Sequence, residues 1–474
     1  LRYSGQAARI LRGFRAIYLG VFFNVVIMAT VLLAGMKIAG VLLDLSKFQT
    51  VLLVGVVTLA YSAIGGLRGV LLTDFFQFFL SMGGTIAASV YILKMPEIGG
   101  LGALVSNPSI TPNISIFPNF SQPEVYVPLF LIPLAVQWWS VWYPGAEPGG
   151  GGYVAQRMLA AREEKDAVKA TLLFNFAHYA LRPWPWILIA LASLVVFPDL
   201  NSLQSAFPNI SSDIVKDDLA FPAMISLLPK GLLGILVAAL LAALMSTIST
   251  HLNWGASYMV HDFYARFLSP GAGDVEQVSA GRWSTVVLMI LASFFALFLE
   301  NALQAFQILL QIGAGTGLLF LLRWFWWRIN AYSELAAMAV SFLIAIYFEM
   351  YYDGPLLAHE RMMTGVAMTT VCWLLVTFLT RPTDIQVLHR FYALIRPYKM
   401  GWKQVIRKDL LISPKGEIPS LSRDLFLVFV GTVMIYTALL GIGWLLYDRI
   451  FGAIFCLFIT IVSAIFINYS LRKK

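Results

Sequence analysis

The sequence predicts an all-α integral membrane protein with about twelve transmembrane helices. Three observations predict it. Of the 474 residues, 59% are hydrophobic and only 12% charged, about half the charged share of soluble domains, and the mean hydropathy is +0.78. Uncharged or nearly uncharged runs recur along the whole chain. The basic residues fall mainly in alternate segments between those runs. The net charge of +8 therefore belongs to membrane topology, and no nucleic-acid partner is expected.

In chain order the runs are 16–36, 51–67, 75–93, 127–143, 170–197, 232–254, 283–299, 303–322, 335–348, 363–379, 425–446 and 450–467. Most can cross about 30 Å of hydrocarbon as helices. Barrel strands would be about half as long and would alternate in polarity. If the N-terminal end is cytoplasmic, the inside segments hold 25 basic residues and the outside ones 7. That bias predicts a multi-pass plasma (inner) membrane protein with both ends of the chain cytoplasmic. The segments 94–126 and 198–231, rich in Ser, Asn, Pro and Gly, are expected as outside connectors. The stretch at about 381–424 is expected as a basic cytoplasmic linker along the membrane. Cys372 and Cys456 lie in apolar runs, which suits core residues rather than a disulfide or a metal cluster.

The run ending at Tyr143 continues as PGAEPGGGG. Pro144 and Pro148 remove backbone donors and the four glycines let the chain turn freely. Either a membrane helix breaks here around something polar, as in many transporters, or the span ends and a cytoplasmic loop begins. No Lys-Ser/Thr follows the glycines and no strand precedes them, which argues against a phosphate-cradling loop.

Three further stretches carry polar groups into apolar surroundings. In YSAIGGLRGVLLTDFFQ, residues 61–77, Asp74 opens a span. It suits a helix N-terminus and equally a cation path. In residues 238–264, Ser246 and Thr247 follow Ala243 by three and four residues, so two hydroxyls and a carbonyl share one helix face. Such oxygens can hold sodium, or Thr247 can simply bond the carbonyl four residues back. In FNFAHYALRPWPW, Asn175, His178 and Arg182 form an i, i+3, i+7 stripe. Arg182 then needs a partner, Glu147 among the choices, or a wet cavity.

Together these stretches resemble the sodium/solute symporter family, which contains sodium-coupled sugar, proline and sialic-acid transporters. The resemblance rests on YxxxGGLxxVxxTDxxQ, QRxLAA at 156–161, AxxST followed by LNxxAS and Asp262, and QAFQ at 304–307 before GAGTG, in the family's order. It implies the LeuT-type inverted-repeat helical bundle, with 1–330 as the transporter core (core helices three to ten) and 331–474 as additional C-terminal transmembrane helices. The leading helix and first two core helices of the family are expected to lie outside this sequence, and the chain as it stands is not expected to transport alone. The resemblance implies a sodium site or path made by Ala243, Ser246, Thr247 and Asp74. It places Gln137, Trp138, Trp142, His178 and Gln311 at substrate-facing positions, to which the stripe adds Asn175 and Arg182. The absence of a hydroxyl at Ala243 implies one sodium per cycle.

The function expected is sodium-coupled import of a small polar organic solute by alternating access, in a lipid bilayer and as a monomer, with sodium as the co-transported ion. Tryptophans beside Gln137 favour a sugar-like ring. His178 and Arg182 suit a carboxylate or amino-acid-like solute. An uncoupled channel or sensor on the same fold is the rival class. Enzyme motifs such as HExxH or a Gly-x-Ser-x-Gly elbow do not occur.

Overall fold

The computed structural model describes residues 2–139, 158–210, 215–299, 302–406 and 420–472, without the side chains of residues 61, 63–74 and 302–308. Among these residues the chain is helical throughout, with no strand. The principal helices are α1 Gly5–Leu43, α2 Lys47–Leu93, α3 Pro123–Ala135, α4 Glu164–Val196, α5 Lys230–Leu268 and α6 Asp274–Phe298. They continue as α7 Ala302–Phe325, α8 Ala331–Met350, α9 Ala358–Leu379, α10 Ile385–Ile395, α11 Leu421–Leu446 and α12 Ile450–Arg472. Nine segments among the described residues are long and apolar enough to cross a membrane, and three shorter apolar helices lie at 47–60, 123–135 and 309–325. Each of the twelve coincides with one of the apolar runs.

One difference concerns α2. Two separate spans, 51–67 and 75–93, were expected, but Lys47–Leu93 is one helix of 47 residues, about 70 Å long at 1.5 Å per residue. Glycines permit a turn without imposing one, and no proline interrupts this stretch. Ser46 caps its start: the hydroxyl accepts from Gln49 N–H at 3.2 Å while the Gln49 side chain accepts from Ser46 N–H at 2.9 Å.

α1 runs through the middle of the bundle. Its first half packs Leu11, Tyr18, Leu19 and Phe23 against Ile312, Phe320, Met338 and Trp373 of α7 to α9. Its second half packs Met28, Leu32 and Leu33 against Val51, Leu244, Ile248 and Leu288 of α2, α5 and α6. Where α1 crosses α5, a Cβ on Gly255 would meet Asn24 Nδ2 at 2.2 Å, so the approach requires glycine. The fully buried Asn24 donates to the His251 carbonyl at 2.6 Å, and its Oδ1 lies 2.6 Å from His251 Nδ1. This pairing satisfies two polar side chains that apolar surroundings would otherwise penalise.

Within the expected linker, α10 and residues near Trp402 form a small core of their own, with Leu388, Phe391, Tyr392, Trp402 and Val405. Trp402 Nε1 donates to the Trp324 carbonyl at 3.0 Å. Arg2 donates to the carbonyls of Trp326 and Ile329 at 3.0 and 3.1 Å while its guanidinium faces the Trp402 ring. Residues 385–406 are thus docked against the start of α1 and the end of α7.

Candidate functional site

A cavity of about 580 Å³ lies between α2, α4 and α5. α5 contributes Ala243, Ser246 and Thr247, which the 3.6-residue period places on one face. Thr247 Oγ1 donates to the Ala243 carbonyl at 2.9 Å. The bond four residues back is therefore present. It does not exhaust either oxygen, because a hydroxyl that gives its proton keeps its lone pairs and a carbonyl has two. α2 contributes Gln77 and Ser81, again one turn apart. Gln77 Oε1 is buried and accepts no hydrogen bond from any described residue. α4 contributes Arg182, Trp186 and Phe174.

α4 is not a uniform helix. Residues Phe176–Leu181 form a π-helical segment before Pro183, and Arg182 N–H accordingly reaches the carbonyl of Ala177, five residues back, at 2.9 Å. The wider turn shifts the register on which the expected stripe depended. Arg182 stays on the α5 side, with its guanidinium 4.6 Å from the Trp186 ring centre and NH1 3.0 Å from His178 Nδ1. Arginine can only donate, so Nδ1 accepts and the neutral imidazole carries its proton on Nε2. Asn175 instead lines a separate apolar groove against Tyr436 and Gly431 of α11 and donates to the Thr171 carbonyl at 2.8 Å.

The remaining expected residues lie elsewhere. Gln137 and Trp138 form a short 3-10 turn with Trp139. Trp139 Nε1 donates to the Ala314 carbonyl of α7 at 3.1 Å, and a Cβ on Gly317 would collide with the Trp139 carbonyl. Trp138 is exposed. Gln311 faces Gly365 of α9, with its Nε2 buried and unpaired among the described residues. Neither Gln137, Trp138 nor Gln311 borders the cavity that holds Ser246 and Thr247. Trp142, Glu147 and the PGAEPGGGG stretch lie outside the described residues, as does the side chain of Asp74.

The sequence reading did not single out Gln77, although it closes the TDxxQ pattern one turn after Asp74. It also overlooked Asn24 and His251, whose signal was a lone amide and a lone imidazole in apolar runs.

Residues 1–341 match the model of the sodium:solute symporter family. The chain belongs to that family. Its helical arrangement resembles a solved structure of a Na+-coupled sialic acid symporter in a substrate-bound outward-open state, with a TM-score of 0.58 at 18% identity over 81% of this chain and 76% of the other. The fold is accordingly the LeuT-type bundle of this family. The sodium/glucose cotransporter of Vibrio parahaemolyticus is 28% identical over 73% of this chain. The sodium/proline symporter of Haemophilus influenzae is 26% identical over 72%, and the sodium/myo-inositol cotransporter 2 of Sus scrofa 26% identical over 63%. The chain spans 65%, 66% and 47% of these relatives' own lengths.

Proposed function

We propose that this chain works in a sodium-coupled symporter that takes up a small polar organic solute, sugar-like or polyol-like, by alternating access. The observation that carries the reading is the set of oxygens on one cavity: the Ala243 carbonyl, the Ser246 and Thr247 hydroxyls, and Gln77 Oε1, which has no donor among the described residues. Sodium is a hard cation that such neutral oxygens suit. Sodium is cargo here, with Ala243, Ser246 and Thr247 as its ligands and Asp74 on its path. The lack of a hydroxyl at Ala243 supports one ion per cycle. Each positive charge moved across 100 mV supplies about 2.3 kcal/mol, enough to concentrate a neutral solute roughly 50-fold.

The sugar-like reading draws on the glucose and myo-inositol transport named for two of the relatives and on the Phe174 and Trp186 rings beside the oxygens. A second reading, a carboxylate or amino-acid-like solute, is favoured by Arg182 on the same cavity. In this proposal residues 1–330 form the transport core, 331–474 add peripheral spans, and the charge bias places both ends of the chain in the cytoplasm.

The test is uptake by the full-length protein in proteoliposomes under an imposed sodium gradient, against a panel of sugars, polyols and carboxylates. Uptake that follows the sodium gradient and falls when Ser246→Ala is combined with Thr247→Ala is expected. Solute-independent single-channel currents in place of uptake would transfer the protein to the channel class.

A further inference from the structure

α1 and α5 cross with their backbones in close contact. A Cβ on Gly20 would meet Tyr258 Cβ at 2.7 Å, and one on Gly35 would meet the Leu244 side chain at 2.7 Å. Between these points Gly255 meets Asn24. Apolar burial along such a seam is non-directional, so it holds two helices together without fixing the roll of either one.

Asn24 supplies the direction. Its Nδ2 can only donate, so the 2.6 Å approach to the His251 carbonyl sets the orientation of the amide and turns Oδ1 toward His251 Nδ1, 2.6 Å away. Oδ1 can only accept, so Nδ1 carries the proton and donates it. The two residues are 0% and 1% exposed, and bulk water therefore does not compete for either bond. A contact with the imidazole alone would follow any change of its rotamer. The bond to the carbonyl grips the α5 backbone itself.

His251 lies one helical turn beyond Thr247, about 6 Å along the axis. α5 is α-helical without interruption from Lys230 to Ser257, so its roll at His251 is also its roll at Ala243, Ser246 and Thr247. A roll of about 20° moves a Cα, about 2.3 Å from the axis, by about 0.8 Å. Side-chain oxygens, farther out, move more, whereas a binding constellation must be held within about 0.5 Å. α1 contributes no residue to the described lining of the transport cavity, so any effect of Asn24 on the ion passes through α5.

We infer that Asn24 is a positioning residue for the sodium site. Through the His251 carbonyl it fixes the roll of α5, and so aims the Ala243 carbonyl and the Ser246 and Thr247 hydroxyls at the ion; it rests on the sodium reading of those oxygens.

The test uses the full-length protein in proteoliposomes, as wild type, Asn24→Leu, His251→Gln, and Asn24→Leu combined with His251→Leu. Uptake is measured against external sodium and, at saturating sodium, against solute, with thermal melting of the same preparations. Asn24→Leu is expected to raise the half-saturating sodium concentration about ten-fold, the low end of what losing a partner that orients metal ligands costs, with the solute KM at saturating sodium near the wild-type value. His251→Gln keeps the main-chain carbonyl and offers an amide N–H to Oδ1, so its sodium curve should stay within about threefold of wild type. The leucine pair removes both polar groups, so melting should return toward wild type while the sodium curve stays shifted. A shift that vanishes when melting recovers, or a wild-type sodium curve in Asn24→Leu, would make the pair a packing device and overturn the proposal. If leucine at position 24 prevents folding, Asn24→Ser, whose side chain is too short to span to the carbonyl, carries the same expectation and the same refutation. Wild-type uptake that ignores sodium would instead remove the sodium reading, and this inference with it.

Discussion

Thr247→Val separates two roles of one hydroxyl. Thr247 Oγ1 donates to the Ala243 carbonyl at 2.9 Å, and that carbonyl is also the helical acceptor of the Thr247 N–H. Valine removes the hydroxyl without stranding the carbonyl, so the fold should lose about 1 kcal/mol or less. If the hydroxyl also holds sodium, the loss is of a different order. An interaction with a full charge is worth about 1.5–3 kcal/mol, which predicts a ten- to hundred-fold rise in the sodium concentration for half-maximal uptake. Thr247→Ser, which keeps the oxygen, should stay within about threefold of wild type. The assay is solute uptake into proteoliposomes against external sodium, with thermal melting of the same preparations. A valine variant that melts slightly earlier yet keeps wild-type sodium dependence would show that the hydroxyl serves only the helix, and the cation assignment on α5 would fall.

Gln77→Leu should likewise raise the half-saturating sodium concentration by about ten-fold or more, since Gln77 Oε1 is buried on the same cavity with no donor among the described residues; an unchanged sodium curve would exclude it as a ligand. Arg182→Gln should abolish uptake of carboxylates while costing a sugar or polyol only a few-fold, because a bidentate charge-assisted pair is lost in one case alone; equal losses across the solute panel would mean Arg182 serves the fold. Glu334→Gln leaves Arg15 and Arg323 facing a neutral amide in a fully buried site, a cost of about 3–5 kcal/mol that should appear as a lower melting temperature and poor yield, and wild-type melting would refute it.

Much of the architecture was legible from hydropathy because a bilayer leaves a spanning chain few options. The apolar runs correspond to the helices and short apolar helices of the structure. The exception, the uninterrupted α2, follows from glycines that allow a turn without forcing one. The face shared by Ala243, Ser246 and Thr247 was also readable, since all three sit in an unbroken α-helical stretch where the period is reliable. The stripe of Asn175, His178 and Arg182 was not. Its geometry assumed 3.6 residues per turn, and the π-helical Phe176–Leu181 turns more widely, so Asn175 and Arg182 reach different cavities.

The sequence by itself determined that this protein lives in a membrane, roughly how many times helices can cross it, and that its motifs follow one transporter family in order. Those properties depend on local composition and on short spacings along a single helix. Only the tertiary structure decided that Gln77 and Arg182 border the oxygens of α5 while Gln137, Trp138 and Gln311 do not, and that Asn24 closes onto His251. Such groupings arise where helices distant in the chain cross, and the crossing points are set by packing details, such as the contact of Gly255 with Asn24, that no one-dimensional pattern contains.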